Sequence, residues 1–395
     1  MNARANIGPG RPLRICVLPG DGIGVEVTHA ALPVLDALGI STELTFGNIG
    51  WTCWRTGGDP VPDATWDQIA ASDATLLGAI TSKPMREAES ELAAELRGTG
   101  LQYVSPVIQL RQKLNLFANV RPIVDVLGPD RYRFAVIREN TEGLYAGLDF
   151  PGIPAEFEAV LSRHQRAGAP WQHVAAEDAS MAVRLQTRNG LTRLFRFAFD
   201  YARRHGFDKV TLADKPNVLR HSGAFARDII EAVAADYPGI AVAIDNVDAV
   251  ALWMVRRPER FGVIVAENMF GDILSDLGAG VMGGLGLAPS ANIGESGAYF
   301  EPVHGSAPAH AGLGKANPSA MFLTIALLLD HFGYASEATA IRSAVCSVAR
   351  TDCRTYDLGG TSTTREVANA IVERCTLELA SPRSRDALLQ RDSSR

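Results

Sequence analysis

Short apolar runs alternate with helical stretches along most of this chain, and the alternation constrains the fold more than any other feature. The runs with β-strand character are residues 13–18, 74–80, 133–137, 209–213 and 261–266. Sequence with helical spacing separates each run from the next. Strands that alternate with helices in this way predict an α/β fold with a substantial parallel sheet.

The helical stretches differ in how clearly they are marked. Apolar residues recur every three or four positions in 191–204, and 272–281 has helical character as well. Residues 25–38 follow the first strand and its glycine turn, and they predict one more helix. By contrast, Pro, Gly and Ala interrupt residues 150–180, so this segment is predicted to be an irregular excursion suited to a subunit contact.

Length and composition limit the function classes. At 395 residues the chain exceeds the size at which a single core stops growing, so about two domains are expected. The formal net charge is −6 without a long Lys/Arg block, which argues against a nucleic-acid or anionic-membrane surface. The five scattered cysteines favour a reducing, cytoplasmic compartment. The N-terminus has no apolar signal core, and the longest apolar stretch is too short to span a membrane, so neither export nor membrane insertion is expected. The polar tail 381–395 is predicted to fray.

Two aspartates, Asp272 and Asp276, lie four residues apart in N-M-F-G-D-I-L-S-D, which follows an apolar strand. On a helix they share one face, where two like charges repel unless a cation joins them. Apolar, glycine-rich flanks favour a cleft over the solvated face that an isolated D-x-x-x-D usually indicates. Oxygen ligands without nearby His or Cys favour Mg²⁺ or Mn²⁺ over zinc. Asp248, at a predicted strand end, is a candidate third ligand, and the neighbouring Asp245 competes with it.

Three arginines lie close to the ends of predicted elements. Arg111 and Arg121 flank an apolar stretch, and Arg138 directly follows a predicted strand. Each one alone is also typical of a surface ion pair, but together their planar forks suit an acidic substrate with more than one carboxylate. Tyr145 and Lys215 are the candidates for proton transfer, because a lysine beside a divalent cation is pushed toward its neutral, basic form.

Two loops of small residues are candidates for contact with a cofactor. The first, P-G-D-G-I-G at 19–24, is followed by valine and is therefore not the G-x-G-x-x-G fingerprint of dinucleotide-binding folds. The second, E-P-V-H-G-S-A-P at 301–308, precedes Asn317, and its small residues let a cofactor approach the backbone. Either loop alone is also typical of a plain turn.

The chain closely resembles the β-decarboxylating dehydrogenases, a family that includes isocitrate, homoisocitrate, 3-isopropylmalate and tartrate dehydrogenases. The resemblance runs from about residue 13 to 370 and rests on motifs in the same order: L-P-G-D-G-I-G, L-F-A-N-V-R-P, R-E-N-T-E-G-L-Y, N-M-F-G-D-I-L-S-D and E-P-V-H-G-S-A-P. It implies an isopropylmalate dehydrogenase-like α/β fold of two domains, with parallel and mixed sheets flanked by helices, that is not a Rossmann fold. Residues 1–116 and 284–395 form its cofactor-binding domain, and 117–283 form the second domain with the metal ligands and the dimer interface.

The resemblance also implies the reaction and the roles of the candidate residues. A 2-hydroxy acid with a 3-carboxylate is oxidised and decarboxylated to a 2-oxo acid and CO₂ by a homodimer with shared active sites. The resemblance implies that the substrate carboxylates are bound by Arg111, Arg121 and Arg138, and that Mg²⁺ or Mn²⁺ is bound by Asp248, Asp272 and Asp276. It implies acid and base roles for Tyr145 and Lys215. It also implies that the nicotinamide is contacted by Asn217 and the adenine by His304, Gly305 and Asn317. Lys215 and Asp248 serve the neighbouring subunit's site.

Substrate choice in this family depends on the residues just before Arg111. Ser105 is predicted to bind substrate, because it matches a serine of isocitrate and homoisocitrate enzymes and favours a polar or anionic substituent. Val107 replaces the asparagine typical of isocitrate enzymes, and Val104 stands where many isopropylmalate enzymes have glutamate. Isocitrate, homoisocitrate, 3-isopropylmalate and related malates therefore stay open, as do specialised substrates such as tartrate or a phosphonylated malate.

The resemblance favours NAD as the cofactor, with NADP as the alternative. Ala309 and His310 replace the aspartate that many NAD-using relatives have, and the lysine-tyrosine pair of several NADP-using relatives is missing too. No cationic pair is evident for a 2′-phosphate, although a protonated His310 could contribute. A second hypothesis is a non-catalytic regulatory subunit that has lost ligands. The complete set of arginines, aspartates, Tyr145 and Lys215 argues for an enzyme instead.

Overall fold

An α/β architecture is present, as the alternating runs predict. The computed structural model describes residues 11–163 and 174–380. The strands are β1 (Leu13–Gly20), β2 (Thr42–Phe46), β3 (Ala74–Ala79), β4 (Ala118–Val124), β5 (Arg133–Glu139), β6 (Asp149–Phe150), β7 (Met181–Ala182), β8 (Lys209–Asp214), β9 (Ala241–Asn246), β10 (Val263–Ala266), β11 (Pro289–Ile293) and β12 (Ala298–Pro302). All five strands predicted from the apolar runs are confirmed.

The helices flank these strands along the whole chain. They are α1 (Ile23–Ala31), α2 (Pro33–Ala37), α3 (Trp51–Gly57), α4 (Asp63–Ala71), α5 (Met85–Ser90), α6 (Pro106–Lys113), α7 (Ala155–Arg163), α8 (Arg188–His205), α9 (Arg220–Ala234), α10 (Val247–Arg256), α11 (Asn268–Met282), α12 (Ser319–His331), α13 (Ala335–Ala349) and α14 (Thr364–Ala380). The helices predicted at 191–204 and 272–281 are confirmed within α8 and α11. None of the helices in the described ranges is long and apolar enough to cross a membrane.

Ten strands of the described residues form one sheet, in the order β2-β1-β3-β12-β11-β4-β5-β10-β8-β9. Neighbours are parallel from β2 to β12 and again from β5 to β9. The central pairs β12–β11, β11–β4 and β4–β5 are antiparallel. This mixed sheet confirms the predicted fold class, and its order and antiparallel centre differ from the all-parallel 3-2-1-4-5-6 order of a Rossmann sheet.

The two halves of the sheet come from different parts of the chain. Strands from the segments 1–116 and 284–395 occupy one side, and strands from 117–283 occupy the other. The halves meet where β11 pairs with β4, with Asn292 opposite Asn119. The division into a cofactor-binding domain and a second domain stays a prediction, and this junction is where it would fall.

The core is thickest under α12, which packs on β11 and β12. Nearly every side chain of this helix is buried, including Met321, Phe322 and Leu329. Burial of each large apolar side chain contributes about 1.5–3 kcal/mol of stability, so α12 holds the β11–β12 hairpin firmly. The functional side chains on these two strands therefore have a rigid base.

Two predictions of local structure are wrong in detail. Residues 25–38 form two helices, because Pro33 has no N–H to bond back to residue 29 and starts a second helix. In the excursion 150–180, Ala155–Arg163 is helical although an irregular segment was predicted. None of its residues is buried, so the helix has no core-facing stripe that periodicity could detect. Residues 164–173 of the excursion, residues 1–10 and the tail 381–395 lie outside the described residues.

Candidate active site

Arg121 and Arg138 are diagonal neighbours on one face of the antiparallel strands β4 and β5. Both side chains are buried against helix α11. Arg138 Nη1 forms an ion pair with Asp272, and Arg121 Nη1 donates to Asp276 Oδ1 at 2.6 Å. Arg121 Nη2 lies 3.7 Å from Asp272 Oδ1, so one carboxylate sits between two guanidinium groups.

Gly271 allows helix α11 to approach Arg138 this closely. A Cβ at position 271 would lie 2.6 Å from the Cβ of Arg138, so any larger residue would push the helix away. The helix begins after Glu267, whose carboxylate accepts a hydrogen bond from the backbone N–H of Phe270 at 3.1 Å. Asp272 and Asp276 then lie one turn apart on the face that meets the arginines, as their spacing predicts.

Arg111, in the last turn of α6, joins the same region from the other half of the sheet. Its Nε donates to Asn292 Oδ1 and to the Tyr299 hydroxyl, both at 3.2 Å, and its Nη2 donates to Glu301 Oε1 at 3.3 Å. These three partners are buried on β11 and β12. Their bonds fix the guanidinium group in one orientation beside the other two arginines.

The three guanidinium groups are close enough to perturb one another. Burial and the charges of Arg111 and Arg121 lower the pKa of Arg138 to about 10, and Asp272 opposes this shift. Like charges that are held together in a poorly solvated place favour anionic partners, and the chain's own Glu301, Asp276 and Asp272 fill that role.

Tyr145 lies at the edge of this region and is half exposed. Its hydroxyl donates to Asp272 Oδ2 at 3.5 Å, and its ring lies under the Arg138 guanidinium, 5.7 Å from ring centre to Cζ. Burial and the Asp272 carboxylate raise the pKa of the Tyr145 phenol, so the group keeps its proton and can donate it. We call the six residues Arg111, Arg121, Arg138, Tyr145, Asp272 and Asp276 the arginine–aspartate cluster.

Lys215 and Asp248 do not join the cluster in the described chain. They form an ion pair with each other at the ends of β8 and β9, and we call them the lysine–aspartate pair. The Asp248 side chain is 68% exposed and that of Lys215 is 27% exposed. Across 11–163 and 174–380, no three His, Cys, Asp or Glu side chains come together as a metal site. The three aspartates predicted as metal ligands therefore lie in two places: Asp272 and Asp276 in the arginine–aspartate cluster, and Asp248 in the lysine–aspartate pair.

The second loop meets the glycine turn, as expected of a shared cofactor region. Gly22 has φ 55°, and a Cβ there would lie 2.0 Å from the Ser306 carbonyl oxygen, which accepts from Ile23 N at 2.8 Å. His304 Nδ1 lies 3.0 Å from the Gly305 carbonyl. Burial lowers the pKa of His304, so the imidazole is neutral at pH 7. Its Nε2 is buried and has no hydrogen-bond partner among the described residues.

The match to a known family decides what these groups belong to. The isocitrate/isopropylmalate dehydrogenase family model matches residues 14–371. The chain belongs to this family. Protein DlpA of Legionella pneumophila is 56% identical over 95% of the chain, which spans only 60% of that relative's length. 3-Isopropylmalate dehydrogenase of Archaeoglobus fulgidus is 40% identical over 91% of the chain and 98% of its own length. The crystal structure of isocitrate dehydrogenase from Methylococcus capsulatus matches with TM-score 0.77 and 38% identity, covering 92% of this chain and 99% of that one.

The resemblance is thereby confirmed, and this member of the isocitrate/isopropylmalate dehydrogenase family is an oxidoreductase of the β-decarboxylating kind.

The remaining residues predicted for the site are Ser105, Asn317 and Asn217. Ser105 begins helix α6, and its hydroxyl lies 3.1 Å from that of Ser82. Asn317 donates to Asp357 at 3.1 Å near the second loop. Asn217 is exposed on the turn after Lys215, and nothing in the described chain joins it to that loop.

Sequence reasoning missed the residues that hold the arginines. Asn292 and Tyr299 received no role, and Glu301 was noticed only as the start of a small-residue loop. A polar residue on a buried strand of a family member is a signal that could have been used, because such groups need partners. Asn292 bonds Arg111, which lies more than 180 residues away in sequence. This pairing could not be predicted from the sequence.

Proposed function

We propose that this protein catalyses the NAD-dependent oxidative decarboxylation of a 3-substituted malate, with Mg²⁺ or Mn²⁺, to a 2-oxo acid and CO₂. The observation that carries the proposal is the convergence of Arg111, Arg121 and Arg138 with Tyr145 and Asp272. A malate has carboxylates on adjacent carbons, and neighbouring guanidinium forks suit such a pair. The same place offers a protonated phenol and two carboxylates, which the reaction also needs.

The donor set fits a hard divalent cation. Asp272 and Asp276 offer only oxygen ligands one helical turn apart, and Asp248 of the partner subunit supplies the third carboxylate. Asp272 lies between the guanidinium groups of Arg121 and Arg138, so a cation held by Asp272 would lie beside the arginines proposed to bind the substrate carboxylates. The chemistry that such an ion supplies is Lewis-acid polarisation of the oxygen on carbon 2.

The second loop and its neighbours fit a nicotinamide dinucleotide. The neutral His304 has an unpartnered, buried Nε2 that can accept a hydrogen bond from the adenine amino group, and Asn317 offers an amide beside it. Gly305 and the glycine turn leave room for the backbone to approach. Asn217 serves the nicotinamide end. His310 stacks on Tyr356 with ring centres 5.7 Å apart. The sequence lacks the lysine-tyrosine pair of several NADP-using relatives, which favours NAD.

Proton transfers complete the reaction. Lys215 of the partner subunit, directly or through a relay, would take the proton of the 2-hydroxyl, and the nicotinamide, when bound, would supply the acceptor for the hydride of carbon 2. The bond between carbon 3 and its carboxylate then breaks, CO₂ leaves, and the electron pair remains on the substrate. Tyr145 donates a proton to carbon 3, for which its raised pKa keeps it ready.

The lysine–aspartate pair and the surface next to it support the proposal of a homodimer with shared sites. Leu252 and Val255 of α10 and Ile273 of α11 are each more than half exposed, although α10 packs on α11. An apolar face of this kind is typical of a subunit interface. A second copy seated on it brings its own lysine–aspartate pair toward the cluster of the first.

The identity of the malate substituent depends on the start of α6. Val104 and Ile108 are exposed there and suit an apolar arm, whereas Ser105 with Ser82 suits a polar or anionic one. Isocitrate, homoisocitrate and 3-isopropylmalate are therefore the first candidates. Tartrate or a phosphonylated malate is the alternative, because the mixed lining matches no single substituent.

The test is reduction of NAD⁺ and NADP⁺ by the purified protein with isocitrate, homoisocitrate, 3-isopropylmalate, malate and tartrate. Each pair is run with Mg²⁺, with Mn²⁺ and with chelator, and CO₂ release is measured in parallel. We expect metal-dependent turnover of one acid with equimolar CO₂, faster with NAD⁺. A folded, metal-loaded dimer that turns over none of them would contradict the proposed reaction and favour a specialised substrate or a regulatory subunit.

A further inference from the structure

Each arginine of the cluster donates its Nε to the side-chain oxygen of an asparagine. The bonds are Arg111 Nε to Asn292 Oδ1 at 3.2 Å, Arg121 Nε to Asn119 Oδ1 at 3.0 Å and Arg138 Nε to Asn268 Oδ1 at 2.9 Å. All three asparagines are fully buried or nearly so. They come from three different elements, β11, β4 and α11, so the repetition does not arise from one local motif.

A bond at Nε has a specific consequence for a guanidinium group. It fixes the rotation of the planar fork and leaves Nη1 and Nη2 for other partners. Each arginine has a carboxylate among those partners: Glu301 for Arg111, Asp276 for Arg121 and Asp272 for Arg138. A carboxamide oxygen accepts the Nε bond without a formal charge, so it orients the arginine and adds no further negative charge. A carboxylate in the same place would orient the arginine equally well but would weaken its attraction for a substrate carboxylate.

Asn292 does more than hold one arginine. Its Oδ1 also accepts from Asn119 Nδ2 at 2.7 Å, and its Nδ2 donates to Glu301 Oε1 at 3.0 Å. Arg111 Nε only donates and the Glu301 carboxylate only accepts, so the amide orientation is determined. Because Asn119 in turn holds Arg121, Asn292 connects the two arginines that come from opposite halves of the sheet.

We propose that Asn119, Asn268 and Asn292 are positioning residues that orient the three arginines without neutralising them, and that Asn292 sets the spacing between Arg111 and Arg121. The inference rests on the proposed function, because the spacing matters for an acid with two carboxylates. It goes beyond that function in naming which residues decide how tightly the acid binds.

The test compares Asn292→Asp with Ser290→Ala. Ser290 lies two residues earlier on the same face of β11, is equally buried, and bonds Asn119 but contacts no arginine. We expect Asn292→Asp to raise the KM of the best acid in the panel about tenfold or more, because it adds a second carboxylate beside Arg111, whose guanidinium group already pairs with Glu301. The KM of NAD⁺ should stay within about twofold, and Ser290→Ala should leave both KM values within about twofold.

Two results would overturn the inference: an unchanged acid KM in Asn292→Asp, or an equal rise in Ser290→Ala. If Asn292→Asp does not fold, Asn292→Ser is judged by the same criteria. A crystal structure of Asn292→Ala separates this inference from the proposed function, since it needs no turnover. We expect the Arg111 guanidinium to shift relative to Arg121 by more than about 0.5 Å. An unmoved Arg111 contradicts the positioning role even if wild-type protein is inactive on every acid.

Discussion

The arginine–aspartate cluster and the lysine–aspartate pair supply one proposed site, yet they are built in opposite ways. Arg121 and Arg138 are buried; Arg121 bonds side chains of β4 and α11, and Arg138 bonds two side chains of α11. Lys215 and Asp248 bond each other at the surface. A buried network with several partners keeps one geometry, whereas an exposed ion pair adds little stability and rearranges readily. The cluster is therefore preformed within one chain, whereas the pair can rearrange at little cost, as the proposed shared site requires.

Among the variants that test this difference between the cluster and the pair, Lys215→Met is expected to change kcat the most. Loss of the proton acceptor should lower kcat by about 10³-fold while the fold stays intact, because general base catalysis contributes on this scale. Lys209→Met, at the other end of strand β8, is the control and should keep wild-type kcat. Steady-state kinetics measure both. A kcat of Lys215→Met above one tenth of wild type would remove Lys215 from the mechanism.

Mixing two inactive variants tests directly whether the pair serves the partner. Co-expressed Lys215→Met and Asp272→Asn chains form mixed dimers that contain one intact shared site, so about one quarter of wild-type activity should return. Differently tagged chains allow the mixed dimer to be purified and assayed. If the pair served its own chain's cluster, every site would be defective, and no activity would return.

A smaller effect is expected for Tyr145→Phe, which should lower kcat about 10²-fold by removing the proton donor to carbon 3. Burial and Asp272 raise the pKa of Tyr145 above its ordinary value near 10, so the phenol is protonated up to that pH. The ratio of wild-type to variant kcat should thus be constant from pH 7 to about 10. Tyr237→Phe is the control, because burial and Asp200 raise that pKa too, far from the cluster. A ratio near 1 throughout this range would show that Tyr145 is not the acid, and a ratio that falls within the range would show that its pKa is not raised.

Arg121→Met measures how much the cluster contributes to stability. The change removes donors to Asn119, Ser275 and Asp276, and we expect the free energy of unfolding to fall by about 2 kcal/mol. Arg257→Met, which removes an exposed ion pair with Glu259, should have almost no effect. Urea denaturation in chelator gives both values. Equal values for the two variants would mean that the cluster is no better ordered than the surface.

The smallest effect is expected for Asp248→Asn in the absence of metal. Since the pair is exposed and screened by salt, the urea midpoint should match wild type within error. With Mg²⁺ or Mn²⁺ present, the variant should lose the metal-dependent rise in that midpoint, because a ligand is missing. A drop in chelator as large as that of Arg121→Met would make the pair a structural element of its own chain.

Much of the fold could be predicted because its signals are local. Each of these signals can be identified from a few neighbouring residues. They are the apolar strand runs, the i, i+4 aspartates of α11 and each of the three arginines in its own motif. The break at Pro33 was missed because apolar spacing continues across it, and the helix Ala155–Arg163 was missed because it buries nothing. The asparagines were missed for a different reason. Each bonds a partner that only the folded sheet brings near.

The sequence by itself determined the fold class, the family and the set of residue types that the proposed chemistry needs, because these are properties of composition, spacing and motif order. Tertiary structure alone decided which of those residues meet. It placed Arg111 beside Arg121 through Asn292, and it left Lys215 with Asp248 at the surface. The orientation of Arg111 depends on hydrogen bonds from α6 to strands β11 and β12, more than 180 residues away, and no local pattern records those bonds.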